Sequence, residues 1–296
     1  MERLIPNLFL IGAPKAGTTA MASYLDEHPQ IFACQPKEPD YFNDDFVNRY
    51  ATSLDFYLNL FARAHPYYKY LLDASTRYLQ SKTAIQRILN FNPDSKFIVM
   101  LRNPCEMAPA LHAQYLCEGY EDEMNFEKAW SIELERRQLK HIPAICIEPK
   151  MLFYREACLI GKHMERLYRL VPHERVHVII FDDFCADPKV EYERVLNFLD
   201  LEPYEKTHFE KMNPRKGFRY PTFQSVVLKL GNLKRLMGIQ RGLGIYKFIN
   251  RFNIVVKSPP EISVELKRQM CDYFREDVAL LSKLINRDLS HWVTIT

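Results

Sequence analysis

The stretch Leu8-Phe-Leu-Ile-Gly-Ala-Pro-Lys-Ala-Gly-Thr-Thr19 decides the fold of this chain. Its first residues form a short, continuous apolar run that ends at a glycine, which is typical of a buried central strand in a parallel sheet. From Thr18 to about Glu27 the pattern becomes helical, and His28-Pro29 closes it. The sequence therefore predicts a strand, a tight turn and a helix in direct succession.

The same alternation of strands and helices continues along the chain. Further strands are predicted at Tyr68–Asp73, Lys96–Leu101 and Val176–Phe181. Helices are predicted at Lys82–Phe91, after Pro104, from Phe126 to about Leu139, at Lys150–Leu170 and at Pro188–Leu199. Such alternation predicts an α/β fold with a central parallel sheet flanked by helices, and ligands of these sheets bind beyond the carboxyl ends of the strands.

Length and composition exclude several classes of protein. The 296 residues, 47% of them hydrophobic, suit one domain over 1–296 with a C-terminal helix over 260–292 packed on the core. A net charge of +3 gives no sign of a nucleic-acid partner. No apolar run approaches the roughly 20 residues that cross a bilayer. The seven scattered cysteines suit reduced thiols, so we expect a cytoplasmic protein.

One segment has a biased charge pattern. Residues 222–257 carry seven basic residues and no acidic one, interleaved with apolar side chains. The segment 222–259 is predicted to be a basic helical flap. Its basic face is either simply solvated or a guide for an anionic glycan or a membrane surface.

The turn itself has the composition of an anion-binding loop. Amides between a strand and a helix point at a common centre, and the helix N-terminus adds partial positive charge. A nucleoside-triphosphate loop, GxxxxGK[ST], carries its lysine after the last glycine. Here Thr18 takes that place and the only lysine is Lys15. This position argues against an ATPase or kinase and for a different anionic ligand.

Several segments, in order along the chain, carry a resemblance to a known family. They are Pro14–Thr19, Lys37-Glu38-Pro-Asp-Tyr-Phe42, Lys96–Pro104, Phe181-Asp-Asp-Phe184 with Asp187-Pro188, and Tyr273-Phe-Arg275 through Trp292. Together they resemble the bacterial and heparan-type carbohydrate sulfotransferases, which use 3′-phosphoadenosine 5′-phosphosulfate (PAPS) and release adenosine 3′,5′-bisphosphate (PAP). The resemblance implies an enzyme that transfers a sulfuryl group to a carbohydrate or another alcohol, with an amine as a further option for the acceptor.

The resemblance also implies roles for two residues. Lys15 corresponds to the family lysine beside the bridging oxygen, where a positive charge stabilises the departing nucleotide. Glu38 corresponds to the glutamate that serves as general base in heparan-type enzymes. The alternative for Glu38 is a loop carboxylate paired with Lys37.

Further positions match the family's nucleotide-binding and acceptor segments. The nucleotide set comprises Ala16, Gly17, Thr18, Thr19, Arg102, Ala110, Phe181 and the basic turn Arg215-Lys216-Gly217. The acceptor set comprises Lys37, Asp40, Ser75 and, as a second candidate base, His112. Ala110 stands where the family has a serine on the 3′-phosphate, Phe181 replaces a tyrosine, and Asp40 replaces a histidine. Ala74 stands where heparan-type enzymes carry a lysine, which argues against a strictly heparan-like acceptor.

Two other functions stay open at this point. A catalytically degenerate nucleotide-binding module would explain Ala110 and Phe181, and a P-loop kinase would share the loop architecture. The histidines show no metal-ligand motif, so we expect no metal. The sequence gives no oligomeric state.

Overall fold

A computed structural model describes residues 4–144, 146–204, 206, 208–209, 216–218, 254–256 and 262–295. In 216–218 and 254–256 only the backbone is described. Two compact units are found among these residues. The first unit lies within 1–103, 160–212 and 276–291, and the second lies within 104–159, 213–275 and 292–296. The expected single domain over 1–296 stays a prediction.

The first unit is built on a parallel sheet, as the sequence predicts, and the sheet has five strands, one more than predicted. In chain order its strands are β1 Leu8–Leu10, β2 Ile31–Ala33, β3 Tyr70–Asp73, β4 Lys96–Leu101 and β5 Val176–Ile180. In space their order is β2-β3-β1-β4-β5. Leu8 pairs with Leu72 on one side and with Lys96 on the other, so β1 is central. Its three side chains are fully buried because helices cover both faces.

Helices connect the strands and continue the chain. They are α1 Thr18–Asp26, α2 Leu54–Asn59, α3 Ala84–Phe91, α4 Pro104–Glu118, α5 Phe126–Ser131, α6 Glu133–Arg136, α7 Tyr154–Ala157, α8 Ile160–Leu170, α9 Phe181–Ala186, α10 Pro188–Phe198 and α11 Val264–Leu284. Short 3-10 helices occupy Pro149–Leu152, His173–Arg175 and Ser290–Val293.

Two predicted helices are interrupted. The helix expected from Phe126 to about Leu139 breaks at Ile132. The carbonyl of Trp130, which a continuous helix would use internally, accepts a hydrogen bond of 2.6 Å from the Arg155 guanidinium. The prediction of one continuous helix is therefore wrong. The Trp130 carbonyl is hydrogen-bonded to a side chain from a distant segment instead of only to the helix backbone.

The helix expected over Lys150–Leu170 is divided into a 3-10 turn, α7 and α8. Carboxylates from distant segments cap the two later pieces. Glu133 accepts from the Arg155 amide at 2.9 Å, and Asp277 accepts from the amides of Gly161 and Lys162 at 2.8 and 2.9 Å. Such caps start new helices inside an apolar-periodic segment.

Asp277 also joins α11 to α8 within the first unit. A β-carbon added to Gly161 would lie 2.1 Å from the Asp277 carbonyl oxygen, so the two backbones are in direct contact. Arg287 binds Asp183 of α9 through both guanidinium nitrogens. In the part of the chain that the structure describes, the helices are too short or too polar to cross a bilayer.

Most of the predicted basic flap over 222–259 lies outside the described residues. Its described part, Ile254–Val256, is a strand (β7) that pairs antiparallel with β6, Lys216–Phe218. The prediction of a helix is therefore wrong for 254–256. The backbone hydrogen bonds of these residues are made to a second strand and not within a helix.

Candidate functional site

The loop between β1 and α1 is folded around two glycines. Gly12 has a φ of 142°, and a β-carbon there would lie 2.7 Å from the carbonyl oxygen of Thr76. Gly17 has a φ of 86°, and a β-carbon there would lie 3.1 Å from the Phe184 ring. Both positions combine left-handed backbone with close neighbours, which explains glycine at each. The loop consequently runs tightly from the central strand into the helix.

The N-terminus of α1 has no side-chain cap from its own N-cap residue. That residue is Gly17, which has no side chain to cap the helix, and the first turn of α1 carries no acidic residue. The first amides of a helix have no partner within the helix, and they carry partial positive charge. Thr18 is buried and Thr19 half-buried in this first turn. Amides and hydroxyls of this kind suit a phosphate or sulfate group.

Lys15 lies in the same loop, half-buried and with a φ of 65°. Its carbonyl oxygen accepts a hydrogen bond of 3.0 Å from Arg102, which follows β4. The Arg102 guanidinium also lies 4.6 Å from the centre of the Phe181 ring, which follows β5. The carboxyl ends of three neighbouring strands thus bring together Lys15, Arg102 and Phe181.

Thr76 connects this loop to the Lys37–Phe42 segment. Its carbonyl lies against Gly12, and its hydroxyl donates to the Glu38 carboxylate at 3.2 Å. The same oxygen of Glu38 accepts from the Lys37 ammonium at 2.7 Å. The Glu38 side chain is 37% exposed and is therefore within reach of a ligand.

Asp40, predicted to contact an acceptor, is buried inside this loop. It forms an ion pair with Arg77 and accepts a hydrogen bond of 3.1 Å from the side-chain amide of Asn43. Burial raises the pKa of Asp40 to about 6, although the Arg77 charge opposes that rise. The Asp40 side chain is only 2% exposed, so it stabilises the loop through these buried contacts and is not available to an acceptor.

Ser75, another predicted acceptor residue, is also fully buried. Its hydroxyl accepts from the Asp40 amide at 3.0 Å and donates to Asp73 at 2.7 Å. Asp73 additionally accepts from the hydroxyls of Tyr57 and Tyr78, each at 2.9 Å. Asp73, Tyr57 and Tyr78 were not predicted from the sequence as site residues. The only signal was an aspartate ending a strand beside a loop segment.

Two predicted residues belong to the second unit. His112 is buried in α4, and a hydrogen bond of 2.7 Å joins its Nε2 to the Glu123 carbonyl. Burial lowers the pKa of His112, which favours the neutral ring. Ala110 is buried in the same helix. These surroundings match a core histidine rather than an exposed base.

The predicted basic turn Arg215-Lys216-Gly217 is only partly visible. Arg215 lies outside the described residues, whereas Lys216 and Gly217 are in strand β6. A turn is therefore wrong for those two residues. Among the described residues, no group of His, Cys, Asp or Glu could hold a metal ion. That no metal is needed stays a prediction.

Comparison with known proteins identifies the family. A family model described as a sulfotransferase domain matches residues 6–244. The chain belongs to the sulfotransferase domain family. The matched span includes the loop, Glu38 and Arg102, and the resemblance expected from the sequence is confirmed.

Among curated relatives, the sulfotransferase chain is 21% identical over 290 residues to the human bifunctional heparan sulfate N-deacetylase/N-sulfotransferase 2. It is 26% identical over 219 residues to the mouse heparan sulfate glucosamine 3-O-sulfotransferase 5. These alignments cover 96% and 72% of this chain. The chain spans only 30% and 59% of those relatives' lengths.

Solved sulfotransferase structures share the fold. The crystal structure of a sulfotransferase from Alicyclobacillus acidocaldarius has a TM-score of 0.71 and 24% identity, covering 98% of this chain and all of that one. A mouse sulfotransferase complexed with PAP has a TM-score of 0.51 and 12% identity, covering 97% and 87% of the two chains. The predicted α/β class with a helical C-terminal part is thereby confirmed.

Proposed function

We propose that this chain transfers a sulfuryl group from PAPS to a hydroxyl or amine acceptor. The observation that carries the proposal is the uncapped N-terminus of α1, with Lys15 in the loop before it and Arg102 bonded to that loop. Membership of the sulfotransferase domain family supports the same donor. A nucleoside-triphosphate loop would instead carry its lysine where this chain has Thr18.

The donor set of the loop fits a bisphosphate nucleotide. Amides and hydroxyls of Ala16–Thr19 would hold the 5′-phosphosulfate, because they lie at the positive end of α1. Arg102 would hold the 3′-phosphate through its planar, forked donors. PAPS supplies the activated sulfuryl group. The matching residues at 215–217 lie largely outside the described side chains, so their contribution rests on sequence alone.

Lys15 would stabilise the negative charge that grows on the leaving oxygen. Sulfuryl transfer resembles phosphoryl transfer, in which positioning and charge stabilisation account for most of the catalysis. A half-buried ammonium acts more strongly there than in bulk water, because the surroundings screen it less. The left-handed backbone at Lys15 is stabilised by the Arg102 hydrogen bond to its carbonyl.

Glu38 would accept the acceptor's proton as general base. Its carboxylate is partly exposed and bonded to Thr76, which lies against Gly12 of the nucleotide loop. A base must lie within hydrogen-bond reach of the proton that it removes, and such a base contributes roughly 10²–10⁴-fold. Lys37, bonded to the same carboxylate oxygen, would contact the acceptor beside it.

The named relatives support a proposal for the acceptor class. Both are described as heparan sulfate sulfotransferases, one acting on nitrogen and one on oxygen. We therefore propose a glycan as the acceptor, with a small alcohol as the alternative. The anionic-glycan or membrane contact through 222–257 and the cytoplasmic location stay predictions from the sequence.

Radiolabelled PAPS tests the proposal directly. The purified chain is incubated with heparosan, with N-deacetylated heparosan and with a panel of small alcohols, and label in the acceptor is counted. We expect label in a glycan, and loss of that label with Lys15→Ala. Tight PAP binding without transfer to any acceptor would instead indicate the degenerate binding module, and magnesium-dependent ATP consumption would indicate a kinase.

A further inference from the structure

The loop that carries Glu38 has a backbone that needs external support. Glu38 and Asp40 have φ values of 64° and 53°, in the left-handed region that side-chain-bearing residues rarely adopt. Two such residues within three positions persist only where the surrounding structure fixes them. The contacts that fix this loop therefore determine where the Glu38 carboxylate lies.

Two buried hydroxyls accept hydrogen bonds from the loop backbone. The Asp40 amide donates to Ser75 Oγ at 3.0 Å, and the Phe42 amide donates to the Tyr78 hydroxyl at 3.3 Å. Ser75 and Tyr78 are both fully buried. Loss of either acceptor would leave a buried backbone amide without its bond.

Both hydroxyls are oriented by one carboxylate. Ser75 donates to Asp73 Oδ1 at 2.7 Å and Tyr78 donates to Asp73 Oδ2 at 2.9 Å. A hydroxyl has a single proton, so donation to Asp73 turns its lone pairs toward the loop amides. Asp73 is itself fully buried at the end of β3, on a rigid element.

We propose that Asp73 is a positioning residue for sulfuryl transfer, acting through Ser75 and Tyr78 to fix the backbone of Glu38–Phe42. The inference rests on the proposed role of Glu38 as general base. Thr76, in the same turn after β3, bonds the Glu38 carboxylate directly. The residues after β3 therefore hold both the backbone and the side chain of the loop.

The ionisation of Asp73 gives this arrangement a pH dependence. Burial raises the pKa of Asp73 to about 7, although hydrogen bonds from Ser75, Tyr57 and Tyr78 oppose the rise. The ionised carboxylate accepts all three hydrogen bonds, whereas the protonated carboxyl must donate one hydrogen bond itself and displace one of these partners.

The other titratable or charged groups around Asp73 come from three neighbouring segments. They are Cys34 after β2, and Asp40 with its partner Arg77. Burial raises the pKa of the Cys34 thiol, and burial also raises the pKa values of Tyr57 and Tyr78. These groups therefore stay protonated while Asp73 titrates near neutral pH, where Asp40, with a pKa of about 6, is largely ionised. Turnover should consequently rise as pH increases through about 7.

The experiment compares Asp73→Asn, Tyr78→Phe and the pair Ser75→Ala and Ser75→Thr. Tyr70→Phe is the control, since Tyr70 is buried on the same strand and donates to the Leu199 carbonyl at 2.9 Å, away from the loop. Amide hydrogen exchange is followed in the peptides covering 38–43 and 11–21. Transfer from radiolabelled PAPS to the acceptor that takes up most label in the panel above is measured from pH 5.5 to 8.5, together with PAP affinity.

We expect faster exchange in 38–43 but not in 11–21 for Asp73→Asn, Tyr78→Phe and Ser75→Ala, and rescue by Ser75→Thr. Transfer should fall about 10–100-fold, as expected when a catalytic group shifts by about 1 Å. PAP affinity should be unchanged, and Asp73→Asn should lose the rise in turnover near pH 7.

Unchanged exchange in 38–43, or a pH profile of Asp73→Asn equal to that of Tyr70→Phe, would overturn the inference. Absence of transfer in the unmodified chain would overturn the proposed function instead. The exchange result would then still decide whether Asp73 holds the loop.

Discussion

The guanidinium of Arg102 donates a hydrogen bond of 3.0 Å to the carbonyl oxygen of Lys15. A residue that follows β4 thereby supports the backbone of a lysine that follows β1. The Phe181 ring, 4.6 Å from the guanidinium carbon, supports Arg102 from the next strand. Any nucleotide that engages Arg102 would consequently also influence the loop of Lys15.

Arg102→Lys keeps the positive charge but removes the forked donor. We expect PAP to bind about 10–100-fold more weakly, because a hydrogen bond to a charged group contributes about 1.5–3 kcal/mol. Isothermal titration calorimetry measures the affinity. The exposed Arg63, replaced by lysine, is the matched control. PAP affinity as strong in Arg102→Lys as in Arg63→Lys would show that only the charge of Arg102 matters.

Gly17→Ala tests the shape of the nucleotide loop. The new methyl group would face the Phe184 ring at 3.1 Å in a backbone conformation with a φ of 86°. We expect a loss of about 1–3 kcal/mol in the free energy of unfolding and weaker PAP binding. Gly119→Ala is the control. It places alanine in the same left-handed backbone, with a φ of 84°, but in the second unit, so it should not weaken PAP binding. PAP binding as strong as in the unmodified chain would contradict the assigned loop.

Arg77→Met tests whether Asp40 has a structural task. It leaves a carboxylate that is only 2% exposed without its ion partner. Removing one partner of a buried pair costs about 3–5 kcal/mol. Urea unfolding should show this loss, and Asp40→Asn combined with Arg77→Met should recover part of it. A double-mutant cycle on the exposed pair Lys189–Glu193 is the control and should show almost no coupling. Additive effects at Asp40 and Arg77 would refute a coupled pair.

The free energy of unfolding should depend on pH through Asp73. Burial raises its pKa from 3.8 to about 7 in the folded chain, so the folded state binds the proton more tightly. Between those values the unfolded state holds fewer protons, and stability falls as pH rises. Relative to Asp73→Asn, the unmodified chain should lose up to about 1.4 kcal/mol per pH unit in this window. Urea unfolding at several pH values measures the difference, and a pH-independent difference would contradict the burial of an ionisable Asp73.

Local sequence was enough to predict four of the five strands and the tight turn between β1 and α1. The apolar runs of β1, β3 and β4 are continuous, and β5 is apolar except for His177. Gly12 and Gly17 delimit a turn whose lysine position separates two chemistries. Strand β2 was missed because Ile31–Ala33 is too short to show any periodicity.

The support of the Glu38 loop could not be predicted. Asp73, Tyr57 and Asp40 meet only after β3 and α2 are packed together, and their contacts span up to 37 residues of sequence. Resemblance placed Asp40 and Ser75 at an acceptor surface, whereas burial turns both inward. His112 was a candidate base because of its residue type, but its side chain is buried between α4 and the ring of Phe126.

Replacement of Lys15 by methionine is the most direct test of the whole account. Methionine keeps a long unbranched side chain and removes only the positive charge. The variant should bind PAP and unfold like the unmodified chain, while transfer of label from PAPS to the glycan falls by about 10²–10³-fold or more. Transfer at the unmodified rate would contradict the assignment of Lys15 and, with it, the proposed use of this loop.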